Sequence, residues 1–369
     1  MSCDGQTNDK ILLGAEQLDL LASKLQGQRV ALLVNHTSQV GHTHLADTLL
    51  SLGVNLVKIF SPEHGFRGQA ADGEKVNNSI DEKTRLPIVS LYGNAKKPTS
   101  EQLKDVDVVI FDIQDVGVRF YTYISSLYYM LEACGENNKT VMVLDRPNPN
   151  SFVDGPMLEP EFKSFVGIIP IPIAHGMTVG ELATMMLGEK WLKDGIQCKL
   201  EIIPMKNYSH NMSYVLPLKP SPNLPTQNAI TWYPSLCLFE GTVVSVGRGT
   251  SMPFEVIGNP KMKEYPFKFT PVSTPGMSNH PPHENQECYG LDLRNTKPES
   301  NISLKYLIAF YNKYPDKDQF FTPYFNTLAG TGTLKEQIIS GMSEDEIKLT
   351  WQKGLNAFKA KRSKYLLYK

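Results

Sequence analysis

Several blocks of residues bring acids, bases and cations close enough together to do chemistry. In Pro62-Glu63-His64-Gly65-Phe66-Arg67-Gly68, a carboxylate, an imidazole and a guanidinium fall within five residues. Glu63 could act as a general acid or nucleophile, His64 as its proton partner and Arg67 as an anion clamp. The two glycines allow a sharp turn or a close backbone approach. Asp112-Ile113-Gln114-Asp115-Val116-Gly117-Val118-Arg119 supplies a second carboxylate, Asp115, which could project into a cleft. Carboxylates on neighbouring strands are what glycoside hydrolysis needs, one acid and one base or nucleophile. Phe239-Glu240-Gly241-Thr242 and Gly247-Arg248-Gly249-Thr250 add another acid and another cation. Asp145-Arg146-Pro147-Asn148-Pro149 offers Asp145 and Asn148 as polar contacts to a hydroxylated ligand, and His175 precedes a capped helix from which it could reach the same place. Each block also has a plain structural reading as a helix cap, an internal ion pair or a rigid proline turn.

The elements that must position these residues alternate between strand-like and helix-like segments. Short aliphatic runs at 29–34, 55–60, 86–91, 106–111 and 140–144 have the length and bulk of buried parallel strands, and 199–203 reads as another. Residues 121–133 read as a helix that Gly135 would stop. Thr178-Val179-Gly180-Glu181 and Ser343-Glu344-Asp345-Glu346 are capping boxes that open two more helices. Alternation of this kind predicts an α/β domain with a mostly parallel sheet. Polar residues stand at the carboxyl end of nearly every strand, Asn35 among them, and ligands of open α/β sheets bind at that edge. The chain divides into a tail and first helical segment (1–28), a sheet domain (29–234) ending in a proline-rich passage, and a smaller mixed domain (235–369) in which 241–246 reads as a strand.

Composition narrows the function. The chain has 369 residues, enough for roughly two domains of about 150 each. Its 37 basic and 38 acidic side chains leave no basic footprint for nucleic acid. No apolar run is long enough to span a bilayer. The five scattered cysteines form no Cys-x-x-Cys pair, which argues against a disulfide framework and a thiolate zinc site. The first strand is not followed by a Gly-x-Gly-x-x-Gly loop, there is no phosphate-binding P-loop, and no Gly-x-Ser-x-Gly elbow occurs; no cofactor is expected. His36, His42, His44 and Asp47 define one rival reading, a metal-dependent hydrolase, although the strand ends mostly carry other residue types than metal ligands. A second rival is a sugar-binding protein without catalysis, since two α/β lobes around a cleft also describe solute-binding proteins. The polar start around Cys3 looks like a mature bacterial lipoprotein cut before its lipidated cysteine.

Six blocks in order, Pro62 to Gly68, Asp112 to Tyr123, Asp145 to Pro149, His175 to Thr178, Pro220 to Asn223 and Phe239 to Thr242, resemble the exo-β-N-acetylmuramidase (NamZ) family, first catalogued as a domain of unknown function. The resemblance covers about residue 29 to the C-terminus. It implies a Rossmann-like N-terminal domain packed on a smaller α+β domain, with the active site in the cleft between them. It also implies a metal-independent glycosidase that removes N-acetylmuramic acid from the non-reducing end of peptidoglycan fragments, located in the cell envelope, periplasmic or lipid-anchored. Glu63 becomes the leading catalytic candidate and general acid, with Asp115, Glu240 or His64 as the second group. The lactyl carboxylate of the sugar would take Arg67, Arg119 or Arg248 as a partner, and its N-acetyl group Asn223 or Asn228 with an aromatic wall such as Tyr121.

Overall fold

The computed structural model describes residues 10–63, 65–66, 78–93 and 95–369. A seven-stranded sheet is built from β1 (Val30–Val34), β2 (Leu56–Ser61), β3 (Ser79–Ile80), β4 (Pro87–Ser90), β5 (Val108–Asp112), β6 (Thr140–Leu144) and, later in the chain, β9 (Lys199–Ile203). Its spatial order is β9-β6-β5-β1-β2-β4-β3, and every pair is parallel except β3 with β4. The chain starts at the centre, runs outward through β2 and β4, then returns to fill the other side through β5, β6 and β9. The order therefore reverses between β1 and β5, and a crevice opens beyond their carboxyl ends.

Both faces of the sheet are covered, which explains the unbroken apolar runs. In β1, Val30, Leu32 and Val34 face one core, which they share with Leu21 and Leu25 of α1 (Leu18–Leu25) and Leu45 and Leu49 of α2 (Leu45–Ser51). Ala31 and Leu33 face the other core, shared with α3 (Tyr123–Glu136) and α4 (Val179–Gly188). That alternation is the period-two signature of a strand buried on both sides.

The second core continues without a break into the C-terminal part of the molecule. An antiparallel pair, β7 (Val153–Met157) with β8 (Pro172–His175), leads from one to the other. Helix α5 (Gln227–Leu236) opens the smaller domain, so the junction drawn at 234 and 235 falls inside a helix. That domain holds a three-stranded antiparallel sheet of β10 (Val256–Asn259), β11 (Phe267–Phe269) and β12 (Cys288–Asp292) in the order β10-β12-β11, followed by α6 (Lys305–Lys313), α7 (Tyr324–Ala329) and α8 (Glu344–Arg362).

Three local expectations are corrected. Residues 241–246 are not a strand: Thr242 bridges to Phe321 and Ser245 to Gly258, so the run lies between two partners and forms no ladder with either. Gly135 does not stop α3, which runs on to Glu136. A side chain at Gly135 would come within 2.5 Å of Ile196 Cγ2, so the glycine is there for close packing. Arg119 does not face a ligand. Its guanidinium is wholly buried and donates to the carbonyl oxygens of Pro156, Ile171, Leu328 and Ala329, at 2.7–3.3 Å. It pins the β7–β8 pair to the end of α7, and burial lowers its pKa to about 9.

Candidate active site

The proposed acid stands on a tight turn. Strand β2 ends at Ser61, and the chain reverses over Pro62–Gly65, where the Gly65 amide donates to the Pro62 carbonyl at 3.1 Å. Gly65 adopts φ 78°, a conformation that glycine reaches without the Cβ penalty. Glu63 is left half-buried, and its Oε2 accepts from the Thr122 hydroxyl at 2.7 Å. Thr122 is the N-cap residue of α3, yet its side chain caps no amide of the helix. A residue type suited to capping is committed instead to a carboxylate 59 positions away.

A cleft of about 420 Å³ lies above this pair, within the usual size of a small-ligand site. One wall comes from the sheet domain, with Glu63, Tyr121, Thr122 and Tyr123. The opposite wall comes from the smaller domain, with Tyr233, Glu240, Arg248 and Phe254. The rings pack edge to face: Tyr121 with Tyr123 at 5.0 Å, Tyr121 with Tyr233 at 5.9 Å and Tyr233 with Phe254 at 4.9 Å. Tyr121 is fixed by donating to the Pro220 carbonyl at 2.9 Å. The buried Tyr123 hydroxyl lies against the Asn35 side chain with Glu63 nearby, and burial raises its pKa.

Glu240 sits on the helical turn Cys237–Gly241 and is ion-paired to Arg248 Nε, while the Cys237 thiol donates to its other oxygen at 3.6 Å. The Arg248 guanidinium lies 5.2 Å from the Phe254 ring centre. Phe254 itself holds φ 58°, a rare conformation for an aromatic residue and one maintained only where surrounding structure enforces it. Asn223 closes another side. Its amide nitrogen donates to the Met277 carbonyl at 2.9 Å, and its buried Oδ1 has no hydrogen-bond partner among the described residues. A buried acceptor left unpaired at a cleft wall is a place for a ligand donor.

The remaining candidates are placed beneath or away from the cleft. Asp115 is buried near Tyr121 and Tyr123; its Oδ2 accepts from the Gly117 amide at 2.7 Å, and its Oδ1 has no hydrogen-bond partner among the described residues. Desolvation raises its pKa to about 7. His175 is equally buried. Its Nδ1 accepts from the Met177 amide, which leaves the proton on Nε2, 3.8 Å from Asp115 Oδ2. Burial lowers the His175 pKa to about 3, so the ring is neutral. Asp145 accepts from the Thr178 hydroxyl and the Tyr368 hydroxyl, both at 2.6 Å, and from the Gly180 amide at 2.9 Å. It thereby fastens the start of α4 and the C-terminus to the end of β6, so it makes no ligand contact from there. Asn148 bridges the Met177 carbonyl and the Asn150 amide in the same structural way. Asn35 binds back to Thr37 through its Oδ1. His64, Arg67 and Cys3 lie outside the described residues.

The metal-site rival is dispersed by local bonding. His44 Nδ1 accepts from the Ala46 amide while its Nε2 reaches the Asn35 carbonyl, His36 Nε2 meets the Lys219 carbonyl, and Asp47 pairs with Lys83. Among the described residues, no three His, Cys, Asp or Glu side chains gather in a way that could hold a metal ion. Two contributors escaped the sequence reading. Thr122 looks like a helix cap, and only its capacity to bond elsewhere hinted otherwise. Phe254 carries no local signal at all.

Comparison with known proteins gives the family. Two family models match, the N-terminal part of exo-β-N-acetylmuramidase NamZ over residues 30–228 and its C-terminal part over 231–368. The peptidoglycan β-N-acetylmuramidase NamZ of Bacillus subtilis (strain 168) is 40% identical, with 94% of this chain and 88% of that protein aligned. Crystal structures of two DUF1343 family proteins from Bacteroides fragilis NCTC 9343 superpose closely. One is 47% identical with a TM-score of 0.91, covering 98% of this chain and 99% of the other; the second is 31% identical with a TM-score of 0.84, covering 97% and 99%. Both halves of the chain, and with them both walls of the cleft, thus match one family from end to end, and the protein is a member of the NamZ exo-β-N-acetylmuramidase family.

Proposed function

We propose that this glycosidase hydrolyses the β-glycosidic bond holding N-acetylmuramic acid at the non-reducing end of peptidoglycan fragments. The observation that carries the reading is the pair Glu63 and Glu240, contributed by different domains to the walls of one aromatic cleft. Glu63 gives its proton to the departing glycosidic oxygen. Glu240 supplies the second carboxylate that glycoside hydrolysis requires. The rings of Tyr121, Tyr233 and Phe254 offer faces to the sugar, Asn223 Oδ1 accepts the acetamido N–H, and Arg248 attracts the lactyl carboxylate.

The test is release of N-acetylmuramic acid from the disaccharide N-acetylmuramic acid–N-acetylglucosamine. The parent protein is expected to release it. Glu63→Gln should lower kcat by about 10²–10⁴-fold, the usual contribution of a positioned acid, while keeping its melting temperature and its affinity for the disaccharide. A parent protein that binds the sugar without releasing product overturns the reading. A cell-envelope location belongs to the same proposal, because its substrate lies there; recovery of the native protein only in the cytosolic fraction would count against it.

A further inference from the structure

Beside the cleft lies a second cavity of about 490 Å³ that the reaction leaves unused. It sits over the carboxyl ends of β1, β5 and β6: of its lining residues, Thr37 follows β1, Gln114 follows β5 and Arg146 follows β6. This is where the strand order reverses, the position an open sheet of this topology offers to ligands. The catalytic cleft is displaced from it, toward the ends of β2 and β4 that carry Glu63 and Tyr92.

The polar end of the cavity has two unused atoms on buried side chains. Arg146 is only 5% exposed. Its Nε and Nη2 are spent on Asp112, at 2.5 and 2.9 Å, and on the Gln39 carbonyl, whereas Nη1 makes no hydrogen bond among the described residues. Gln114 is 4% exposed; its Nε2 donates to the carbonyls of Asp115 and Pro147, whereas Oε1 accepts no hydrogen bond among the described residues. Leu13, Val215, Pro217 and Leu218 add apolar lining, and Glu16 lines the cavity with its charge met by Lys10 at 3.6 Å. A cationic donor and an amide acceptor in one cavity with aliphatic lining match a carboxylate, the N–H one peptide unit before it, and small apolar side chains. We propose that this cavity binds the carboxyl terminus of a short apolar peptide, with the carboxylate on Arg146 Nη1 and the last amide N–H on Gln114 Oε1.

The site is also placed to influence catalysis. The segment 214–224 is a shared partition: Tyr214, Val215, Pro217 and Leu218 line this cavity, and Ser221, Asn223 and Leu224 line the cleft. Peptide binding is therefore expected to change KM for the disaccharide more than kcat.

Calorimetric titration of the full chain with alanyl-alanine tests the proposal without relying on turnover, so its failure is separate from failure of the glycosidase reading. Saturable binding is expected. Val215, 67% exposed at the rim, can be changed without disturbing the core. Val215→Asp should weaken the dipeptide at least about tenfold by placing a like charge at the mouth, while turnover without peptide stays unchanged. Free leucine, which has a carboxylate but no amide, should bind more weakly than the dipeptide. Absence of saturable binding, equal affinity in Val215→Asp, equal affinity for leucine, or competitive displacement by N-acetylmuramic acid would each overturn the assignment.

Discussion

The carboxylates of this protein fall into two groups that look alike in sequence and behave differently in the fold. Glu63 and Glu240 each line the cleft, Glu63 with the Thr122 hydroxyl as partner and Glu240 with Arg248 and the Cys237 thiol. Asp112, Asp115 and Asp145 stand at equally suggestive strand ends, yet all three are buried. Asp112 is held by two nitrogens of Arg146, and Asp145 accepts four hydrogen bonds. What separates the groups is burial. Asp112 and Asp145 are consumed in organising the strand ends, and Asp115 is closed off from solvent beside them. Glu63 and Glu240 stand on turns that line the cleft.

The comparison breaks most visibly at Asp112. Asp112→Ala leaves the Arg146 guanidinium buried without its carboxylate, and the cost is expected to be about 3–5 kcal/mol by chemical denaturation. Substitution at Glu63, exposed to the cleft, should leave the denaturation midpoint close to that of the parent. Equal stability of the two variants would erase the distinction.

Asp115 sharpens it by pH. Its carboxyl holds its proton up to about pH 7 in the folded state, whereas an aspartate in the unfolded chain loses it near pH 4. The folded protein thus binds more protons across that window, and this group makes stability fall as pH rises from about 4 to 7. Asp145, raised to about 6, acts in the same direction. His175, lowered to about 3, acts in the opposite one, raising stability between about pH 3 and 6.5. The informative quantity is therefore the difference between Asp115→Asn and the parent. The variant should be the more stable above pH 7, and its advantage should shrink toward zero below about pH 4. An advantage independent of pH would mean that Asp115 is not a desolvated acid.

Much of the sheet is legible in the sequence because its strands are buried on both faces. Continuous runs such as Val30–Val34 and Thr140–Leu144 need no tertiary information to be recognised, and both capping boxes open helices where expected. The smaller domain is less legible. Its strands β10 to β12 mix glycine, polar and aromatic residues, and their pairing depends on partners up to 36 residues away, as between Val256 and Asp292. In the site, strand-end position alone places Glu63 and Asp115 on an equal footing. Only burial distinguishes them: Asp115 is buried and Glu63 half-buried on the cleft wall. Arg119 shows the same limit. A lone arginine beside acidic residues reads as an anion clamp, but four backbone carbonyls from three distant segments claim it.

The smallest expected effect concerns the hydrogen bond that joins Glu63 to the start of helix α3. Thr122 gives its hydroxyl to Glu63 rather than to the helix. A side-chain hydrogen bond of this kind is worth about 0.5–1.5 kcal/mol. Losing its orienting effect in Thr122→Val should lower kcat by about tenfold, with KM and stability little changed because no cap is lost and the side-chain volume is kept. Thr122→Ser restores the hydroxyl and should recover most of the rate. If valine cost stability and spared kcat, the threonine would be an ordinary part of the helix start, and Glu63 would owe its position to the Pro62–Gly65 turn alone.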